Sequence, residues 1–212
     1  MGNEGVVMLS VLIPSIPSRA DKLAKLTQEL ERQKVYTYAT CGHLGLGDLE
    51  VVVDDSAGFM EGGLSIGKKR EALVKRANGR YLNFLDDDDN ISPNYIETLL
   101  KMCNTNADVC TFRAFVKLNE GWGLVDMSLK YQFNEQFTPE YTVRRKAWHT
   151  CPIKSEFAKL YDFKDINSAE DFEWTERVLT HCVTETHTEQ ILFEYNHGDH
   201  SESDKILRNG QV

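Results

Sequence analysis

Tyr81 to Leu85 reads YLNFL and runs straight into Asp86-Asp87-Asp88-Asp89-Asn90. A short apolar run of strand character therefore delivers four consecutive carboxylates to one point. Adjacent like charges repel, so stability alone does not select them. A bound divalent cation offsets that cost most simply, because hard ions such as Mg2+ or Mn2+ take oxygen ligands. The bland alternative is a solvated acidic turn, and the strand leading into the run counts against it. The run also imitates a calcium loop, with Asp86, Asp88 and Asn90 at alternate positions and Glu97 at the twelfth. That reading fails: Ile91 stands where the loop needs glycine, Pro93 lies inside it, and a strand precedes it instead of a helix.

The stretch before this run alternates. Val6 to Pro14 is a nearly continuous apolar run ended by Pro14 and Pro17, and predicts a buried parallel strand. Ala20 to Gln33 carries Leu23, Leu26 and Leu30 on one stripe and predicts an amphipathic helix. Leu49 to Val53 is a second buried strand, ending on Asp54-Asp55-Ser56. Ile66 to Ala77 is a second helix, with Asn78-Gly79 as its expected C-cap. Strand, helix, strand, helix, strand is the pattern of an open, mostly parallel α/β sheet flanked by helices. Ligands of such sheets sit at the carboxyl ends of the strands. Ser15 to Arg19, Asp54 to Ser56 and Asp86 to Asp89 are therefore expected to converge on one crevice.

The second half is less regular. Ser92-Pro93 opens a helix through Met102, and Asp108 to Val116 reads as a strand. Gly121 to Phe137 suggests a strand pair around Trp122, Tyr131, Phe133 and Phe137. Ile153 to Leu160 and Ala169 to His181 have helical spacing, and Gln190 to Tyr195 reads as a last strand. The expectation is one domain over residues 1–212. Residues 1–92 would bind one ligand, and 93–212 would form a mixed half that shapes a pocket for another.

Charge and hydropathy narrow the partners. A net charge of −9 disfavours a nucleic-acid-binding surface, which would be basic. No apolar run reaches the roughly 18–20 residues needed to span a bilayer. Met1 to Gly5 lacks the basic region of a signal peptide, and Val6 stands where a myristoylation pattern wants Ser or Thr. Five cysteines without CxxC spacing point to reduced thiols in a cytosol-like compartment.

Three further groups carry chemistry. On the helix from Ile66, Arg70 falls inside the apolar face with Leu73, Val74 and Ala77, while Lys68, Lys69, Lys75 and Arg76 fall outside it. An inward arginine needs a partner, either Asp54 or Asp55 or an anionic ligand. On the helix from Ala169, Asp171 falls within the arc of Phe172, Trp174, Val178, Leu179 and Cys182, and Glu170 falls on the other side. A desolvated carboxylate has the raised pKa of a general base. Alternatively, Ser168 to Asp171 forms a capping box. In the tail, His197 and His200 are candidate nitrogen ligands to a metal.

Together LSVLIPSIPSR (9–19), VVVDDS (51–56), GKKREALVKRANGRYLNFLDDDD (67–89) and AEDFEWTERV (169–178) resemble the nucleotide-sugar glycosyltransferases of the GT-A fold. The inverting family-2 enzymes are nearest in pattern. The resemblance implies a Rossmann-like sheet and transfer of a sugar from a UDP-sugar donor to a glycan or glycoprotein acceptor. It implies that Pro14 and Ser15 line the base, Asp54 bonds the uracil ring, and Arg19, Asp55 and Arg70 lie on the nucleotide side. Asp86-Asp87-Asp88 looks like the DXD motif, with Asp86 near the ribose, Asp87 also on the nucleotide, and Asp86 and Asp88 on Mn2+ or Mg2+. Asp87 and Asp89 form the alternate pair. Glu170-Asp171 resembles the ED motif, with Asp171 as catalytic base, and His200 or His197 resembles a metal or diphosphate contact. Trp122, Trp148 and Trp174 are candidates to stack on sugar rings. The setting implied is cytoplasmic, in a microbe or in the host cell of a virus.

Two rivals remain at this point. A nucleotidyltransferase wants a glycine-rich phosphate loop after the first strand, where SIPSRADK has none. A non-catalytic cation- or glycan-binding module would not need both an inward Asp171 and the acidic cluster.

Overall fold

The computed structural model describes residues 7–118, 121–132 and 143–195. Three parallel strands, β1 (Val7–Pro14), β2 (Asp48–Asp54) and β3 (Tyr81–Phe84), form the regular half. β1 lies between the other two, with Pro14 opposite Asp54 and Leu12 opposite Phe84. All eight residues of β1 except Val7 are buried, which is why this strand reads as unbroken hydrophobicity. Helix α1 (Ala20–Cys41) leads outward to β2, and α2 (Ile66–Arg76) returns over β1 to β3. Right-handed crossovers in opposite directions put their helices on opposite faces. Accordingly α1 packs with α3 (Tyr95–Cys103) on one face, and α2 packs with α5 (Glu170–Leu179) on the other.

The sheet continues through the second half as a mixed arrangement. Beyond β3 come β8 (Ile153–Lys154), β5 (Val109–Leu118), β6 (Gly121–Met127) and β7 (Val143–Arg145). β8 is antiparallel to both β3 and β5, so β5 runs the same way as β3. β9 (Glu185–Tyr195) lies parallel to β5 and pairs with β4 (Asn90–Ile91), just past the acidic run. The expected α/β fold with helices on both faces is present, parallel in its first half and mixed in its second.

Local differences have physical causes. α1 runs two turns past Gln33, because its inward stripe continues through polar residues, Gln33 and Thr37, to Cys41. Gln33 donates to the Ser92 carbonyl at 2.8 Å and accepts from the Ile96 amide at 3.1 Å, capping a free N–H at the start of α3. Ile153 to Leu160 is not one helix. Ile153 is buried in the two-residue β8, and only Ser155–Ala158 turns helically, as α4. α2 ends at Arg76 with Ala77 extended, so Asn78-Gly79 is not its cap. Asn78 is instead held by Glu50, at 2.9 and 2.8 Å. Gly79 is needed because a Cβ there would lie 2.5 Å from the Ser10 amide nitrogen. β6 is the one described strand within Gly121 to Phe137, and Phe133 and Phe137 lie outside the described residues.

The start of α2 is clamped to the segment that precedes α5. Ser65 donates to Asp165 at 2.6 Å, the Ile66 amide to Asn167 at 3.1 Å, and the Gly67 amide to the Ile166 carbonyl at 3.1 Å. A Cβ on Gly67 would sit 1.9 Å from the Lys164 carbonyl oxygen, so only glycine allows this approach. Gly67→Ala is expected to cost about 1–3 kcal/mol by overpacking, read as a drop of roughly 2–4 °C in melting temperature per kcal/mol. An unchanged melting temperature would mean that the 164–166 segment moves aside freely.

Candidate active site

The chain makes a tight turn as it leaves β3. The Asp89 amide donates to the Asp86 carbonyl, and the Asp86 amide donates back to the Asp89 carboxylate, both at 3.1 Å. This turn divides the four aspartates. Asp87 and Asp89 are buried, whereas the side chains of Asp86 and Asp88 keep 31% and 30% of their surface exposed. The run is thus two inward anchors alternating with two carboxylates that face the carboxyl edge of the sheet.

Each aspartate has its own partners. Asp87 accepts from Ser15 Oγ at 2.6 Å and Arg19 Nη1 at 2.9 Å, tying the acidic turn to the loop after β1. Burial pushes the Asp87 carboxyl upward, against the pull of Ser15 and Arg19. Burial, with Asp86 next to it, raises Asp89 well above the carboxylate range. Asp88 lies 3.4 Å from both Arg19 and Lys22. Asp86 receives Arg70 Nη2 at 3.1 Å.

Arg70 links this turn to α5. Its Nε donates to Glu170 Oε1 at 3.1 Å, and its guanidinium lies 5.0 Å from the centre of the Phe84 ring. Phe84, Phe163 and Trp174 form an aromatic floor beneath it, with Phe163 and Trp174 stacked at 4.7 Å. Burial disfavours the charged arginine, but Asp86 and Glu170 more than reverse this, and its pKa rises. The Arg70 partners are therefore Asp86 and Glu170, not Asp54 or Asp55, because the side chain points along the floor toward α5. Its Nη1 is buried and makes no hydrogen bond among the described residues.

Glu170 is buried, contrary to the wheel that turned it outward. It is the first residue of α5, where the side chain meets α2 before the helical face is established. Burial raises its pKa and Asp171 adds to the effect, while Arg70 opposes both. No capping box forms: Ala169 is the N-cap, in the left-handed region at φ 60°, and supplies no side-chain bond. Such a conformation costs on the order of 1–3 kcal/mol for a residue with a Cβ, and it sits directly before the acidic pair. Asp171 is 19% exposed, and its Oδ1 accepts from the Phe172 amide at 2.8 Å.

The nucleotide-side candidates are arranged as follows. Pro14 and Ser15 are buried at the end of β1, and the Ser15 amide donates to the Asp54 carbonyl at 2.8 Å. Burial raises the Asp54 carboxyl, but two hydrogen bonds from Ser56 and the nearby Lys69 outweigh it and hold the group below its usual range. Asp55 is exposed and makes no polar contact among the described residues. His197 and His200 lie outside the described residues. Trp174 belongs to the core, Trp148 lies beneath the Arg145 guanidinium at 4.1 Å, and Trp122 is 54% exposed.

Two residues escaped the sequence reading. Lys69 is buried although the wheel put it outside, and its ammonium binds the Ser15 and Ser56 carbonyls, stapling the ends of β1 and β2. The polar ends of those strands are a signal for it, since a long cation can reach them from α2. His149, buried beside Asp171, follows no periodic pattern, and the sequence carries no signal for it.

A metal fits this donor set in one way. Among the described residues no three His, Cys, Asp or Glu side chains converge to hold an ion. Within the four-aspartate run Asp86 and Asp88 are the outward-facing oxygen donors, and Mg2+ is commonly held by one or two carboxylates completed by substrate phosphates.

The family model for glycosyl transferase family 2 matches residues 60–168, just over half of the chain. No curated protein sequence matches. Among solved structures, S. aureus TarS 1–349 superposes with a TM-score of 0.60 at 17% identity, covering 90% of this chain and 60% of that one. The same protein in complex with UDP-GlcNAc gives 0.61 at 16% identity, covering 92% and 60%, and with UDP 0.60 at 16%, covering 91% and 61%. The chain thus spans about three-fifths of that relative.

Proposed function

The chain belongs to glycosyl transferase family 2, and we propose that it transfers a sugar from a UDP-sugar to an acceptor hydroxyl on a glycan or glycoprotein, with inversion at the anomeric carbon. The observation that carries this reading is the bridge through Arg70, which joins the outward Asp86 to the Glu170-Asp171 pair across one sheet edge. Residues 1–92 would hold the nucleotide and 93–212 the acceptor. TarS in complex with UDP and with UDP-GlcNAc supports UDP as the carrier.

In this reading Pro14, Ser15 and Asp54 line the uracil, with Arg19, Asp55 and Asp87 on the nucleotide side. Asp86 and Asp88, with His200 or His197, would hold Mn2+ or Mg2+. The bound cation supplies Lewis-acid stabilisation of the charge on the departing UDP. Asp171 accepts the proton of the acceptor hydroxyl as its oxygen attacks from the face opposite the leaving group. Glu170, fixed on Arg70, holds the start of α5 against the acidic turn. Trp122 offers an open ring to an acceptor sugar. No described helix is long and apolar enough to cross a membrane.

Calorimetric titration of UDP with and without Mn2+ tests the metal half of this reading. The wild type should bind UDP more tightly with Mn2+, and Asp88→Asn should lose that gain. Its turnover of UDP-GlcNAc should fall by about a hundredfold or more, as expected when several kcal/mol of charge stabilisation are lost. Equal UDP affinity and turnover in the two proteins would sink the metal assignment.

A further inference from the structure

His149 has no place in the chemistry so far, yet its surroundings are specific. The ring is buried, and it packs edge-on against Trp148 with centroids 4.8 Å apart and tilted against Phe84 at 5.9 Å. Its backbone is fixed as well, since the His149 carbonyl accepts from the Phe84 amide at 3.0 Å. One ring nitrogen, Nδ1, is fully buried and lies 3.2 Å from Asp171 Oδ2. The distance suits a hydrogen bond, but the N–H is not aimed at the oxygen, so Nδ1 is left without an aligned partner. A buried donor in that state is costly, and a small rotation of the Asp171 carboxylate would satisfy it. Catalytic hydrogen bonds are often misaligned in ligand-free enzymes and tighten in the complex.

We infer that His149 is a positioning residue for Asp171. Its Nδ1–H takes one carboxylate oxygen when the site closes on its substrates and fixes the carboxylate for the incoming hydroxyl. The inference rests on Asp171 being the base. The other oxygen, Oδ1, is already engaged by the Phe172 amide. Two donors, one on each oxygen, would then lock the carboxylate plane, which a lone carboxylate on a helix's first turn cannot do for itself. The imidazole suits this task because burial, reinforced by the Arg70 charge, holds its pKa well below the ordinary histidine value. It therefore stays neutral and orients Asp171 without competing for the proton.

The test separates the donor from the ring. His149→Phe keeps the aromatic packing and removes Nδ1, whereas His149→Asn places an amide N–H close to where Nδ1 stood. With UDP-GlcNAc and Mn2+, H149F should lose about tenfold to a hundredfold in kcat, part of the hundred- to ten-thousandfold that a positioned base contributes. Its donor KM and UDP affinity should not change, and H149N should recover most of the loss. Equal losses in H149F and H149N, or a loss in UDP affinity matching that in kcat, would overturn the inference. A substrate-independent readout is the 15N spectrum of histidine-labelled protein. It should show His149 neutral with the proton on Nδ1, and the signal should shift in Asp171→Asn. A proton on Nε2, or no response to that change, would refute the contact. If D171N kept full turnover, the base assignment would fail, while the spectrum would still report on the pairing itself.

Discussion

Asp171→Asn is expected to lower sugar transfer by about a hundredfold to ten-thousandfold, the range that a positioned general base contributes. Asparagine has the same shape and still accepts from the Phe172 amide, so the start of α5 should survive the change. What it loses is the ability to take a proton. UDP affinity, with and without Mn2+, should be unchanged, because Arg70 makes its hydrogen bonds to Asp86 and Glu170 and none to Asp171. The decisive comparison is turnover against UDP binding on the same preparation. Turnover that survives intact in D171N would mean that the base lies elsewhere, or that the anomeric centre is retained.

Arg70→Ala should be the most destabilising single change at the site. The guanidinium is 5% exposed and neutralises Asp86 and Glu170 together. Its removal leaves two carboxylates facing each other over the Phe84 ring with no cation between them. Breaking a buried pair from one side costs about 3–5 kcal/mol, which is much of the 5–15 kcal/mol that separates a typical folded domain from its unfolded chain. Urea unfolding should show the unfolding free energy falling by that amount, with the midpoint moving down accordingly. Arg70→Lys should recover part of it, since an ammonium restores the charge but cannot fork between two carboxylates held on different elements. An unfolding free energy within about 1 kcal/mol of the wild type for R70A would mean that the acids neutralise themselves by taking up protons.

The parallel half of the fold was readable because β1 and β3 are buried on both faces and the half-buried edge strand β2 still carries the apolar run LEVVV, each strand leading into polar residues. Position along the sheet follows from that, and Ser15, Asp54 and Asp86 do end up along one edge. What periodicity could not give is which neighbour a helical face meets. The wheel of α2 measures Lys69 against its own sheet, but the carbonyls at the strand ends are close enough for a long side chain to reach. The wheel of α5 fails at Glu170 because the first residue of a helix sees the adjoining helix, not its own apolar stripe. Ile153 was misread for another reason. Two residues wedged between β3 and β5 have no period at all, and the apolar spacing that follows them imitates a helix. His149 owes its position to that same wedge, and a pattern local to its own segment could not show it.

β8 also has a consequence for how the chain assembles. β1, β2 and β3 are all present once residue 84 has been made, but β3 then has one open edge, an apolar strand with unpaired backbone groups. The strand that covers it is two residues long and arrives about seventy residues later in synthesis, and β9 must follow before β5 is flanked. Contacts this distant in sequence are slow to close. For that interval the growing chain presents a sticky template to its neighbours on the ribosome. A strand of two residues is therefore the latch that ends the period of greatest risk.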